Sequence, residues 1–308
     1  MTKLAKILSL IATCFIQSAY AAVYYVTPEA DGTGGGTSWS DATTLAGANA
    51  KVAAGDIIRM KAGTYTMTAR VQVTKAITIE GGYKGEDLTL ADNPETVLDG
   101  AFNSAVKEPI YLTTASGTNY FHRLAFTRFY RRGFLKYGNA SLEMYNCRFA
   151  NNGPTHVLTR EQNLTFNEDK LGGRGALFWG SSSSSYLTLS NCVFEDNIYV
   201  NASSLTTNDY PGYGSGAFVA NFKRVYMDDC LFKGNGYPVA KTTVRARHGK
   251  ASAMYLYKAP ITAVNTRFIG NSFVLGYEAS SGCVELSTAC GGSVFKNTGW
   301  LIDGPCRL

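Results

Sequence analysis

Hydrophobic positions in the second half of the chain recur with a long period. A Phe-x-x-Asn tetrad occurs four times, beginning at Phe149, Phe194, Phe232 and Phe268. Apolar pairs stand seven and five residues before each phenylalanine, and a cysteine or threonine stands two residues before it. Phe129 and Phe295 extend the series without the asparagine. Each unit therefore begins as a strand whose alternate side chains point inward.

The spacing between the two inward sets is odd, so the chain has to turn between them. Positions −7 and −5 share one face of a strand, but positions −2 and 0 would point to the other face if the strand ran straight. An Asn or Asp stands three residues before each phenylalanine, namely Asn146, Asn191, Asp229 and Asn265. These residue types tolerate the left-handed backbone of a tight corner. We therefore predict a strand, a corner and a second strand that face one core.

A third arm is predicted ahead of each later unit. It begins with small residues in Gly175-Ala176-Leu177, Gly216-Ala217-Phe218, Ser252-Ala253-Met254 and Gly282-Cys283-Val284. Three short strands joined by corners form one coil of a parallel β-helix, and successive coils stack about 4.8 Å apart. Stacking predicts separate ladders of phenylalanines, of small residues and of corner asparagines.

The N-terminal third is predicted to complete the same solenoid. Val23–Val26 has the pattern of a short strand, and residues 39–54 are rich in alanine, with Ser40 placed as the N-cap of a short helix. Such a helix would cover the open end of the first coil, which otherwise exposes its core. Further strands are predicted within 56–65, 71–80 and 96–98. We predict one domain over 22–308, with a cap and first coil over 22–66 and the remaining coils over 67–308.

Two segments of this region carry a family resemblance. The stretches GDIIRMKAGTY and AITIEGGYKG, within 23–83, resemble the opening coil of right-handed β-helix proteins of the pectate-lyase-like superfamily. The Gly-Ala-aliphatic and Phe-x-x-Asn markers are similar to the repeats of polymorphic outer membrane proteins, which also occur in secreted bacterial β-helix proteins. The resemblance implies an all-β fold, a right-handed parallel β-helix solenoid with a short N-terminal capping helix. It says little about function, because one solenoid carries many activities.

The first 21 residues indicate where the protein is located. Residues 1–21 contain Lys3 and Lys6, an apolar stretch and a small-x-small end at Ala19-Tyr20-Ala21, which is typical of a signal peptide. The apolar stretch is too short to span a bilayer, and no later run reaches the roughly 20 apolar residues of a membrane helix. We expect a secreted, periplasmic or cell-surface protein without a transmembrane segment in its mature chain.

The chain has seven cysteines, and export permits disulfides. Cys147, Cys192 and Cys230 fall on one predicted inward ladder, where side chains point the same way, so we expect free, buried thiols. Cys306 is expected to pair with Cys283 or Cys290, and the sequence leaves that choice open.

Candidate binding residues lie in long insertions that follow each tetrad, at 153–173, 198–214, 236–250 and 272–280. Coil stacking would set these insertions side by side, and loops on a solenoid face are its natural binding surface. Tyrosine rings and cationic groups suit a sugar chain that carries anionic groups. The predicted ligand-binding residues are Arg174, Tyr210, Tyr213, Lys250 and Tyr277. The first hypothesis is a protein that binds carbohydrate or a surface partner through these loops without catalysis.

The alternative is a polysaccharide lyase that acts on a uronate-containing glycan by β-elimination. This reaction needs a base near the C5 proton and a cation that neutralises the uronate. Arg245, Arg247 and His248 are the candidate catalytic residues. A glycoside hydrolase is disfavoured relative to a lyase.

No cofactor is expected, and calcium stays open as a weaker alternative. The acidic pairs Glu168-Asp169, Glu195-Asp196 and Asp228-Asp229 could supply oxygen ligands, but they form no continuous acidic ladder.

A basic corner is predicted at Arg128, Arg131, Arg132 and Lys136. With a net charge of only +6, the chain is not expected to bind nucleic acid.

Overall fold

The computed structural model describes residues 21–91, 95–153, 175–181, 183–197, 216–236, 253–257, 259–271, 275–277 and 294–296. The predicted signal peptide, apart from Ala21, lies outside the described residues. So do Cys283, Cys290 and Cys306.

The described strands form three parallel sheets, which the chain visits in turn. Sheet A has nine strands, in spatial order β1 (Val23–Val26), β2 (Ile57–Lys61), β5 (Thr78–Tyr83), β8 (Thr118–His122), β11 (Ser141–Tyr145), β14 (Tyr186–Ser190), β17 (Arg224–Asp228), β20 (Ile261–Val264) and β23 (Val294–Lys296). Sheet B has seven strands, β3 (Gly63–Thr66), β6 (Thr96–Asp99), β9 (Leu124–Thr127), β12 (Arg148–Ala150), β15 (Val193–Glu195), β18 (Leu231–Lys233) and β21 (Arg267–Ile269). Sheet C also has seven, β4 (Val71–Val73), β7 (Ile110–Leu112), β10 (Phe134–Tyr137), β13 (Ala176–Trp179), β16 (Ala217–Ala220), β19 (Met254–Tyr257) and β22 (Leu275–Tyr277). This order confirms the predicted parallel β-helix.

The phenylalanine ladder runs along the inner face of sheet B. Neighbouring rings are stacked, with centroids 4.6 Å apart for Phe149 and Phe194 and 4.6 Å apart for Phe194 and Phe232. The first rung is Phe126, which pairs with Phe149 in register, so the assignment of this rung to Phe129 was wrong. Phe295 is also outside the ladder, because its backbone pairs with Ala263 in sheet A.

Two ladders of mostly asparagine residues run along the solenoid, one at a backbone corner and one that links neighbouring coils by hydrogen bonds. At the corner between sheets A and B, Asn146, Asn191, Asp229 and Asn265 have φ values of 55°, 50°, 54° and 49°, which confirms the predicted left-handed corner. The tetrad asparagines are buried and bridge coils: Asn197 Nδ2 donates to Phe149 O at 2.9 Å and to Asn235 Oδ1 at 2.9 Å. Phe129 occupies the equivalent position one coil earlier, where its N–H donates to Asn152 Oδ1.

The third arms form sheet C, and glycine precedes two of them for a steric reason. A Cβ on Gly175 would lie 2.1 Å from Gly216 O, and one on Gly216 would lie 2.3 Å from Ala253 O. Ala217 pairs with Met254 rather than Ala253, so the predicted third marker was one residue out of register. The strand that continues sheet C is β22, whereas the predicted arm at 282–284 lies outside the described residues.

A short helix covers the first coil. Helix α1 (Leu45–Lys51) buries Leu45 and Ala48, and contacts β1, β2 and β4. Thr44 is its N-cap and accepts a hydrogen bond from Gly47 N, while Ser38 caps a preceding 3-10 turn over Trp39–Asp41. The capping helix is confirmed, but the N-cap prediction at Ser40 was wrong. Neither helix of the described residues has the length and apolar character needed to span a bilayer.

The three described cysteines, Cys147, Cys192 and Cys230, are free and buried, as predicted. The predicted basic corner is divided, because Arg128 is half-exposed whereas Arg131, Arg132 and Lys136 are buried. Arg128 forms an ion pair with Asp99, and Lys136 is fully buried in the core.

Candidate functional site

Of the predicted loop site, the structure describes the residues at which the insertions begin and end. Insertions leave the solenoid after Asn152, Asn197 and Asn235 in sheet B and rejoin it at the start of strands in sheet C, so they share one corner, as predicted. The predicted residues Arg174, Tyr210, Tyr213, Arg245, Arg247, His248 and Lys250 lie outside the described residues. Tyr277 ends β22, and its backbone pairs with Leu256.

The described residues place a different set of functional side chains together on the outer face of sheet A. Strand register aligns Tyr25, Arg59, Glu80, His122 and Tyr145 on five neighbouring strands. With strands about 4.8 Å apart, this row extends about 19 Å along the solenoid axis. Its side chains are outward because the residues on either side, such as Ile58 and Met60, fill the core.

Exposed tyrosines continue this face toward the C-terminal coils. We call the outward tyrosines Tyr25, Tyr120, Tyr145, Tyr186 and Tyr226 the aromatic face. The side chains of Tyr120, Tyr186 and Tyr226 are 36%, 37% and 43% exposed. Tyr120 and Tyr226 lie in one row, separated by Glu143 and Thr188 on the two intervening strands. The aromatic face therefore extends across seven strands of sheet A, from β1 to β17.

Two arginines share a carboxylate near the N-terminal end of the aromatic face. Arg59 Nε donates to Glu80 Oε1 at 2.8 Å, and Arg123 Nη2 lies 3.5 Å from Glu80 Oε2. Both guanidinium groups also lie over the Tyr83 ring, at 5.6 and 5.5 Å from its centroid. Arg123 takes the corner position that asparagine holds in later coils, with φ 56°, and its Nε donates to Gly81 O at 2.8 Å. Two cations against one carboxylate leave a net positive charge here.

The middle of the aromatic face contains a histidine held neutral. Burial and the charge of Arg123 lower the pKa of His122 below its ordinary value of 6.5. Its ring packs edge-to-face on Tyr145, with centroids 5.1 Å apart. Tyr145 donates to Glu143 Oε2 at 2.6 Å, and this hydrogen bond, with burial, raises the pKa of Tyr145 to about 12. At neutral pH both rings are uncharged and offer apolar surface with polar rims.

Cations flank the tyrosines at the other end. Lys223 Nζ lies 5.2 Å from the centre of the Tyr186 ring, and Arg224 Cζ lies 6.0 Å from that of Tyr226. Arg224 also donates to Thr262 Oγ1 at 3.1 Å, which holds its guanidinium on the face. A ring with an adjacent cation can pack on an apolar surface and pair with an anion at the same time.

Metal-binding chemistry finds no support in the part of the chain that the structure describes. No three His, Cys, Asp or Glu side chains come together there as ligands. Glu195 lies in sheet B and pairs with Arg148, whereas Asp228 lies in sheet A, so the two acidic pairs do not share a face.

Sequence reasoning missed the aromatic face because it followed only inward positions. The signal that could have found it is the residue between two inward ones: Tyr120 precedes Phe121, and Tyr226 stands between Val225 and Met227.

Comparison with known proteins agrees with this architecture. The profile of a family described as the right handed beta helix region matches residues 101–273, which is more than half of the chain. The chain belongs to this family. The predicted handedness is thereby confirmed, and the likeness to polymorphic outer membrane protein repeats stays a prediction. A search of curated proteins finds no match.

Solved structures of similar shape share little sequence with this family member. They include pectate lyase Pel9A, at 13% identity and a TM-score of 0.47 over 92% of this chain and 78% of that one. A rhamnogalacturonan lyase is 15% identical, with a TM-score of 0.43 over 82% of this chain and 69% of its own. A pectin methylesterase from Aspergillus niger is 13% identical, with a TM-score of 0.41 over 91% and 86%.

Proposed function

We propose that this β-helix protein is exported and binds a polysaccharide along its aromatic face, without catalysis. The observation that supports this proposal is the alignment of outward tyrosines with the solenoid axis. A glycan chain that lies along this axis meets a new strand about every 4.8 Å, which is close to the length of one pyranose ring. In the row that contains Tyr120 and Tyr226, the two tyrosines lie three strands apart and would contact sugars separated by about 14 Å.

The side chains of the aromatic face have the chemistry needed to bind a sugar chain. Tyr120, Tyr186 and Tyr226 are partly exposed. A tyrosine ring can pack on a sugar ring, and its hydroxyl group can hydrogen-bond the sugar's hydroxyls. Arg59, Arg123 and Arg224 add donors whose planar groups are already oriented by Glu80, Gly81 and Thr262. Preorientation lowers the entropy lost when a ligand binds.

The predicted insertions begin and end at a different side of the coil from the aromatic face. The strand before each of the first three insertions belongs to sheet B and the strand after it to sheet C, whereas the aromatic face belongs to sheet A. Binding by Arg174, Tyr210, Tyr213, Lys250 and Tyr277 stays a prediction that is independent of the aromatic face, as does contact with a surface protein partner.

The test is affinity electrophoresis of the purified chain in gels that contain neutral or uronate-rich polysaccharides. Tyr120→Ala and Tyr226→Ala should each weaken retention by roughly three- to tenfold, since each removes a stacking platform. Tyr137→Ala is the matched control, because Tyr137 is 48% exposed but lies on sheet C. Equal retention of all four proteins, or retention of none, would reject the proposal.

The lyase alternative is decided in the same samples. Formation of an unsaturated uronate would raise the ultraviolet absorbance of the glycan, and Arg247→Ala or His248→Ala should abolish that rise. An activity with this dependence would replace the binding-only proposal.

A further inference from the structure

A pocket of about 460 Å³ lies at the N-terminal end of the aromatic face. Its lining residues come from β1, the 3-10 turn and the segment after β5: Tyr25, Thr37, Ser38, Trp39, Ser40, Gly85 and Glu86. Tyr25 belongs both to this pocket and to the aromatic face, so the two surfaces are continuous. The volume lies within the usual range of small-ligand sites, about 300–1,000 Å³.

The apolar wall of the pocket is held rigidly. The Trp39 ring packs edge-to-face on Tyr25, with centroids 4.7 Å apart, and lies 6.0 Å from Tyr83. Its Nε1 donates to Asp87 O at 2.9 Å. Because the indole N–H is already bonded, the contribution of Trp39 to a ligand is its ring surface.

The polar wall consists of hydroxyl groups and one carboxylate. Ser38 Oγ and Ser40 Oγ lie 3.0 Å apart, and Thr37 Oγ1 donates to Asp41 Oδ2 at 3.1 Å. Glu86 is exposed and is the one formally charged residue among the described lining residues. A pocket lined by both aromatic rings and hydroxyl groups suits a ligand with one apolar face and many hydroxyls, and Glu86 repels a second negative charge.

We propose that the Trp39 pocket binds one uncharged pyranose ring, the terminal residue of the polysaccharide whose chain lies on the aromatic face. This inference rests on the proposed function and deepens it. The pocket binds the terminal sugar of the polysaccharide, and the negative charge of Glu86 disfavours a uronic acid at this position. The net positive charge around Arg59 and Arg123 favours uronates at positions further along the polysaccharide.

The test uses methyl glycosides of a hexose and of the matching hexuronic acid, observed by saturation-transfer NMR with the full chain. The hexoside should bind at least about tenfold more tightly than the hexuronoside. Glu86→Gln should bring the two affinities to within about threefold, because it removes the charge and keeps the shape. Glu95→Gln is the control, since Glu95 is exposed just before β6 on sheet B, where it pairs with Arg148, and its replacement should leave both glycoside affinities unchanged.

Trp39→Ala should abolish hexoside binding, and Ser40→Ala, at an exposed position, should weaken it while leaving thermal unfolding unchanged. If Trp39→Ala does not fold, Glu86→Gln and Ser40→Ala decide the question. The inference is wrong if the wild-type chain binds no hexoside, or if it binds both glycosides equally. Polysaccharide retention that depends on Tyr120 and Tyr226, without hexoside binding, would reject the pocket and leave the proposed function standing. If the wild-type chain is not retained by any polysaccharide, the proposed function itself is wrong.

Discussion

Replacing the buried lysine of the solenoid by methionine should stabilise the protein in a pH-dependent manner. Lys136 is fully buried on the inner face of sheet C, in register with Leu112 before it and Phe178 after it. Its Nζ donates to Gly138 O at 2.5 Å and to Trp179 O at 3.2 Å, and lies 5.0 Å from the centre of the Phe222 ring. Among the described residues, no ion pair links Lys136 to a carboxylate.

The magnitude follows from the proton equilibrium. Burial lowers the pKa of Lys136 from its ordinary value of 10.5 to about 7. Between these pH values the unfolded chain binds a proton that the folded chain does not, so stability rises with pH across this window and is constant below it. At about 1.36 kcal/mol per pKa unit, Lys136 makes the fold roughly 4 kcal/mol less stable at pH 7 than above pH 10.5.

Lys136→Met removes this proton equilibrium but also the two hydrogen bonds. Each bond contributes about 1 kcal/mol, so the variant should be more stable than the wild-type chain by roughly 2 kcal/mol at pH 7. The advantage should shrink by about 1.4 kcal/mol per pH unit within the window, vanish between about pH 8 and pH 9, and become a disadvantage by about pH 10.

The measurement is urea unfolding of both chains at pH 7, 8, 9 and 10, with a thiol reductant present. Lys107→Met, at an exposed position, is the control and should show no such slope. A stability difference between Lys136→Met and wild type that does not change with pH would refute the reasoning, because it would mean that Lys136 is charged in the folded core at every pH.

Three further substitutions test the ladders. Phe194→Ala removes a ring stacked on both sides and should cost about 3–5 kcal/mol in urea unfolding; a cost below about 1 kcal/mol would contradict continuous stacking. Asn197→Ala leaves Phe149 O and its neighbours without buried partners and should cost about 2–4 kcal/mol. Hydrogen exchange should accelerate first at the Asn152 N–H, which donates to Asn197 Oδ1 at 3.2 Å, and a uniform change would argue against a local ladder. Gly175→Ala would place Cβ 2.1 Å from Gly216 O, so the melting temperature should fall; an unchanged melting temperature would show that the coils can separate there.

The sequence by itself determined the coil. Inward alternation, the residues that adopt positive φ at Asn146 and Asn191, and the Phe-x-x-Asn turns are local properties, because each depends on neighbours within about eight positions of the chain. They identified the strands, the corners, the buried thiols and the parallel stacking, and the resemblance supplied the handedness that the family match confirmed.

Only the tertiary structure decided which residues meet across coils. Phe126 rather than Phe129 begins the ladder, and Met254 rather than Ala253 faces Ala217. The sequence markers were three residues out of register in the first case and one residue in the second, because the pairing between strands of different coils sets the register. Lys136 looks like a surface lysine in sequence and becomes a core residue because of the coils above and below it.

The row of outward side chains on sheet A also depended on the register between coils, although single outward positions such as Tyr226 could be located from the sequence. Tyr25, Arg59, Glu80, His122 and Tyr145 are spread over 120 positions and carry no periodic signal, since outward side chains need not be apolar. They share a surface only because five coils stack in register.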